Sequence, residues 1–112
     1  MIMKQYVVDE LRAEDYQKLK EYLDANYAAP GVTGLYWLPL DEQVYAQVQM
    51  SHSDCQPYYF ALELTSERLA CEMLVRTNNR IRCQCIQYAT EPQRNWLMNV
   101  VDAFFDRLEI IT

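Results

Sequence analysis

The residues of this chain that could do chemistry are few and fall in two short stretches. His52-Ser53-Asp54-Cys55 and Cys83-Gln84-Cys85 supply one H-x-x-C and one C-x-C pattern. His52, Cys55, Cys83 and Cys85 are thus four ligands of the borderline-to-soft kind that a structural zinc takes. The spacing works against that use, because side chains at i and i+2 of a strand project to one side but along it, whereas tetrahedral ligands converge on a point. Both thiols would also have to lose protons on an apolar face. The competing expectation is that Cys71, Cys83 and Cys85 are small core residues, free cysteine being among the most buried residue types. A redox role for Cys83 and Cys85 is disfavoured: a disulfide between i and i+2 is strained, and no helix N-terminus follows to stabilise a thiolate.

Catalysis has little to build on. His52 is the single histidine, so a general base at neutral pH would have to be this residue, with Cys55 as the conceivable nucleophile. Proximity in sequence does not orient such a pair. No G-x-S-x-G or H-E-x-x-H occurs, and Gly31-Val32-Thr33-Gly34 lacks the Gly-Lys of a phosphate loop. The expectation is a protein that is not an enzyme and has no cofactor, with zinc as the alternative.

Two further clusters concern binding. Between Met73 and Arg94 stand four arginines (Arg76, Arg80, Arg82, Arg94) and one acid, Glu91. The expected hairpin sets Arg76 opposite Arg82, a like-charge pair that a carboxylate or phosphate ligand would relieve. Glu63 and Glu72, expected on the same face, could neutralise it instead. Nine tyrosines are too many for one small core, and tyrosine is favoured where an apolar body meets a polar rim. Tyr45, Tyr59 and Tyr88, beside Gln47, Gln49 and Ile86, are assigned to the outer sheet face. Trp96, Met98 and Phe105 widen the apolar surface of the last helix beyond what one sheet requires.

Local patterns define the elements that must position these groups. Ile2–Val8 reads as a strand, followed by a helix whose start carries Leu11 and Tyr16 as a hydrophobic staple and acids in its first turn. Tyr16, Leu19, Leu23 and Tyr27 form one stripe of that helix, which is expected to run to about Ala28. Pro30, Gly31 and Gly34 then break the chain, and both glycines of the sequence fall here, where left-handed backbone is expected. Strands are predicted over Leu35–Leu40 (or a mobile loop), Gln43–Met50, Tyr58–Thr65, Arg68–Thr77 and Ile81–Tyr88. A three-residue turn at Asn78-Asn79-Arg80 would set Met73 opposite Cys85 and Val75 opposite Cys83. Val44, Ala46, Val48 and Met50 are expected inward with Phe60, Leu62 and Leu64. Thr90-Glu91-Pro92-Gln93 supplies a capping box with proline in the first turn, starting a helix expected to reach about Glu109.

The fold class that follows is α+β: an antiparallel four- to five-stranded sheet, with an N-terminal and a C-terminal helix on one face, in β-α-β4/5-α order. In element order alone this resembles the β-α-β4-α unit of TATA-binding-like folds. It also resembles secretion-chaperone-like proteins without their middle helix, and small acidic chaperones share the size and charge sign. That likeness implies a chaperone-like binding role.

Composition sets the outer bounds. The 112 residues suffice for a single domain over 1–112, with 51% hydrophobic residues and neither repeats nor low-complexity tracts. Ten Lys plus Arg against 16 Asp plus Glu give a formal charge of −6, which repels phosphate backbones and acidic membranes, so no nucleic-acid or membrane partner is expected. No stretch reaches the ~20 apolar residues of a spanning helix, the C-terminal part being interrupted at Asp102, Asp106 and Arg107. Met1-Ile2-Met3-Lys4-Gln5-Tyr6 has no secretory-signal pattern, and four cysteines without one point to the cytoplasm. The expected function is that of a small acidic interaction or chaperone-like module acting as a homodimer, with a protein or peptide as a further partner. The zinc-stabilised domain and the arginine anion site are its alternatives.

Overall fold

The computed structural model describes residues 5–29, 31–77 and 85–111. Strand β1 (Gln5–Val8) leads into helix α1 (Ala13–Asn26). The start of α1 is fixed locally: the Asp15 carboxylate accepts the Arg12 backbone N–H at 3.1 Å and Arg12 Nε at 3.0 Å, which satisfies a donor the helix leaves orphaned. Leu11 and Tyr16 hold the two staple positions, and Leu11 N–H donates to Glu67 C=O at 2.8 Å. The expected stripe is present, with Leu19 and Leu23 fully buried and Tyr16 and Tyr27 half-buried against the core. The helix ends at Asn26 rather than Ala28 because the chain turns to cover a sheet edge. There Tyr27 C=O accepts Trp37 N–H at 3.0 Å, and Ala29 N–H donates to Leu35 C=O at 3.2 Å. Gly34 has φ +83°, and its C=O accepts Leu64 N–H at 2.9 Å.

The sheet is antiparallel throughout. It comprises β1, β2 (Leu35–Pro39), β3 (Tyr58–Leu64), β4 (Leu69–Glu72), β5 (Leu74–Thr77) and β6 (Gln87–Tyr88). β2, for which a mobile loop was the alternative, is a regular strand on one side of β3. On the other side β4 and β5 form one arm interrupted at Met73, where the register against β3 moves from Leu62↔Cys71 to Tyr59↔Arg76, a bulge of two residues. The outer edge of this arm is shared: β1 takes β4, with Gln5 opposite Glu72, and β6 takes β5, with Leu74 opposite Tyr88.

Two expectations are corrected. Gln43–Met50 is not a strand but a 3₁₀ turn (Glu42–Val44) followed by the short helix α2 (Gln47–Met50), and a second 3₁₀ turn spans Ser53–Cys55. The cause is local side-chain bonding that outcompetes a ladder: Asp41 Oδ1 accepts Gln43 N–H at 3.0 Å, and Gln49 Oε1 accepts Ala46 N–H at 2.8 Å. Met50 is consequently 57% exposed, not inward. The second correction is the register of β5 against β6. Val75 faces Gln87 rather than Cys83, and Ala89 N–H donates to Met73 C=O at 2.7 Å, so the pairing is displaced by four residues. An even displacement preserves facing, and Met73, Val75 and Cys85 are all fully buried as expected. The turn itself, with Ile81 and Cys83, lies outside the described residues.

Helix α3 (Glu91–Arg107) begins with the expected box: Thr90 Oγ1 accepts Gln93 N–H, and Gln93 Oε1 accepts Thr90 N–H at 3.0 Å. It stops before Glu109, which adopts φ 58°. Glu109 N–H reaches Asp106 C=O at 3.2 Å and Ile110 N–H reaches Phe105 C=O at 2.9 Å, a Schellman closure. Both long helices lie on the inner sheet face. Trp96 stacks on Phe60 at 6.2 Å, and Tyr22 and Tyr27 meet Phe104 at 5.3 and 5.6 Å. Two inward tyrosines tie sheet to helix by their hydroxyls, Tyr6 to Asp102 at 2.7 Å and Tyr36 to Asp24 at 2.6 Å. The α+β class, with both long helices on one face of an antiparallel sheet, is therefore as expected, with six strands among the described residues in place of four or five.

Candidate functional site

With the helices on the inner side, strand alternation turns Gln5, Val7, Leu35, Trp37, Tyr59, Ala61, Glu63, Ala70, Glu72, Leu74, Arg76 and Tyr88 to the outer side. The centre of this face is a stacked pair. The Trp37 and Tyr59 rings lie 4.7 Å apart with 26° between their planes, a diagonal contact across β2 and β3. Arg76, opposite Tyr59, forms a two-point ion pair with Glu72, Nε to Oε1 at 2.6 Å and Nη2 to Oε2 at 3.3 Å. That bond raises the Arg76 pKa further above its ordinary value. Burial lifts the Tyr59 phenol, the Arg76 charge opposing and Glu72 adding to the rise.

Two shallow depressions run across the face. One of about 460 Å³ is lined by Gln5, Glu72, Leu74, Arg76 and Tyr88. The other, of about 140 Å³, adds Leu35, Ala61, Glu63 and Ala70 and shares Gln5 and Glu72 with the first. Among the described residues every lining residue comes from a strand, and Val7 (37%) and Tyr88 (46%) are the most exposed large apolar side chains on this side. Such a surface offers aromatic area and one neutralised ion pair, which suits docking more than bond-making.

Of the residues assigned to an interface from sequence, Tyr59 and Tyr88 lie together on this face. Tyr45 does not: its ring stands edge-on to Tyr58 at 5.0 Å, and its hydroxyl accepts Tyr58 N–H at 3.5 Å. Trp96 is committed to Phe60, and Phe105, 5% exposed, belongs to the core, so the apparent surplus of α3 is taken up in packing. Met98 is half-buried on α3.

Cys55 and Cys85 are buried, and His52 Nδ1 donates to Val48 C=O at 2.6 Å, leaving only Nε2 for other use. Among the described residues no group of three His, Cys, Asp or Glu could hold a metal ion; Cys83 lies outside them. The Cys71 thiol is pushed up to about 12 by burial, which makes it a protonated core group at neutral pH. In the arginine cluster, Arg76 is held by Glu72, and Arg94 Nη1 donates to Ala89 C=O at 3.2 Å. Arg80 and Arg82 lie outside the described residues.

Sequence reasoning missed two features. Trp37 could have been placed by alternation from Tyr36, which is 1% exposed. Gln49 and Gln93, both fully buried, bond amide to amide at 2.8 Å across 44 positions. Gln93 Nε2 also donates to Val44 C=O at 2.9 Å, Gln49 Nε2 donates to Cys85 C=O at 3.3 Å, and Tyr58 Oη donates to Gln49 C=O at 3.0 Å. This network fixes the irregular Leu40–Pro57 segment to α3, as a fully satisfied buried network can.

Comparison of the chain with family models, with curated proteins and with solved structures finds no match. No helix among the described residues is long and apolar enough to cross a membrane.

Proposed function

We propose that this protein is a non-enzymatic association module, homodimeric and chaperone-like in its mode of action, that docks a protein partner on the outer face of its sheet. The observation that carries this is the Trp37–Tyr59 stack, set among Val7, Leu35, Leu74 and Tyr88 on a face whose depressions no described helix residue lines. Aromatic rings with a polar rim are the composition enriched where proteins meet. Of the two carboxylates that the described residues place on this face, Glu63 and Glu72, Arg76 neutralises Glu72, while the chain as a whole carries −6. The cytoplasm is the compartment this reading assigns, where buried thiols such as Cys55, Cys71 and Cys85 stay reduced.

Site-specific photo-crosslinking tests the proposal. A photoreactive phenylalanine analogue at Tyr59 or Trp37 should yield discrete protein adducts in cells, whereas the same group at Gln17, on the exposed side of α1, should not. Equal yields at the two surfaces, or none at Tyr59 and Trp37, refute it.

A further inference from the structure

The two long edges of the sheet are finished differently. On β2, Trp37 N–H is bound by Tyr27, Leu35 C=O is bound by Ala29, and Pro39 has no N–H, so this edge cannot accept another strand along its length. On the opposite side β1, Gln5-Tyr6-Val7-Val8, carries no charge and no proline, and among the described residues no strand pairs with its outer edge. Its main-chain orientation follows from the ladder. Thr65 N–H bonds Arg68 C=O at 2.9 Å, so Glu63 and Ala70 face each other, and Leu69 and Cys71 turn their polar groups to Val8 and Tyr6. The N–H and C=O groups of Gln5 and Val7 therefore point away from β4 to the open edge.

We infer that β1 is the self-association edge, where a second copy of this chain adds its own β1 in antiparallel register about a twofold axis at Tyr6. Gln5 of one copy then pairs with Val7 of the other, giving four main-chain hydrogen bonds. A second copy is the occupant because the edge is its own complement: a twofold at Tyr6 sets the open N–H and C=O groups of Gln5 against those of Val7, on a strand that itself adds no charge to a −6 chain. Growth stops at two. Asp9 and the left-handed Glu10, φ 59°, end the strand, and the blocked β2 edge offers no site for a third copy. The two outer faces join into one continuous surface, so the inference takes the dimer from the proposed function and leaves the Trp37–Tyr59 face free for the partner.

The test is sedimentation velocity on the full chain from about 5 to 500 µM, a range over which mass action moves a weak dimer. The wild type is expected to dimerise, Val7→Pro to be monomeric while melting as a folded protein, and Trp37→Ala to remain dimeric. Should Val7→Pro not fold, Val7→Lys and amide exchange at Val7 replace it. The Val7 amide, open in the monomer, should gain protection of at least about tenfold at high concentration. A wild type monomeric throughout, a dimer surviving Val7→Pro or Val7→Lys, or an unprotected Val7 amide overturns the edge. A dimer lost only in Trp37→Ala transfers self-association to the outer face and overturns the edge while the association reading stands. An edge dimer without Tyr59 crosslinks leaves the edge standing and removes the partner face.

Discussion

Removing the amide of Gln93 probes the interior most directly. Gln93→Leu keeps the side-chain volume near constant but breaks three bonds: from Thr90 N–H at 3.0 Å, to Val44 C=O at 2.9 Å and to Gln49 Oε1 at 2.8 Å. At ~1 kcal/mol net for each intramolecular bond, the loss is about 3 kcal/mol. For a domain of this size that corresponds to a fall in Tm of roughly 12 °C. Urea unfolding of the wild type, Gln93→Leu, Gln49→Ala and the double variant gives a cycle in which the Gln49–Gln93 coupling should reach about 1 kcal/mol. Thr90→Ala isolates the cap, since it removes only the oxygen that receives Gln93 N–H, and should cost about 1 kcal/mol. A Gln93→Leu loss no larger than that of Thr90→Ala, or additivity within ~0.5 kcal/mol in the cycle, would mean that the two glutamines do not hold the Leu40–Pro57 segment.

Further predictions concern the helix ends. Glu109→Gly should stabilise the fold by about 0.5–1 kcal/mol, because φ 58° strains a side-chain-bearing residue and the Schellman bonds are main-chain only; a lower urea midpoint would refute it. Acid unfolding should track Asp15, whose pKa is lowered chiefly by the Arg12 guanidinium bond, and Asp24, lowered by Lys20 and the Tyr36 hydroxyl. A carboxyl depressed in the folded state stabilises at pH values above its unfolded pKa of about 4 and loses that contribution as pH falls below it. Asp15→Asn should therefore flatten the decline of stability below about pH 4, and an unchanged acid limb would remove Asp15 from the account.

What was legible in the sequence was what is decided locally. The Leu11–Tyr16 staple, the Leu19 and Leu23 stripe and the Thr90–Gln93 box each lie within a few residues, and each is found where expected. The β5–β6 pairing shows the limit of periodicity, which reports the face a residue takes and not the residue it meets: Met73 and Cys85 are inward as expected, yet they are not partners. Alternation misled outright at Gln43–Met50, where Val44, Val48 and Met50 imitate a half-buried strand while Asp41 and Gln49 bond back to the chain. The outer face was legible at Tyr59 and Tyr88 but not at its centre, because nothing local to Trp37 says that Tyr59 lies diagonally across from it.

The shared outer edge of the β4–β5 arm bears on how the chain is made. β1 leaves the ribosome ahead of its partner residues Leu69–Glu72, which are synthesised more than 60 positions later. At ~5–20 residues per second this is a wait of roughly 3–13 s, during which an uncharged, β-branched strand has no ladder to join. α1 cannot wholly bury its stripe in that interval either, since β3, β4 and α3 complete the core that receives Leu19 and Leu23. The last of these, α3, is closed only when Glu109 and Ile110 make their main-chain bonds to Asp106 and Phe105. Closure of the core therefore waits on the late segment that carries β6 and α3, and the exposure of β1 to holdases is greatest while it stands without β4.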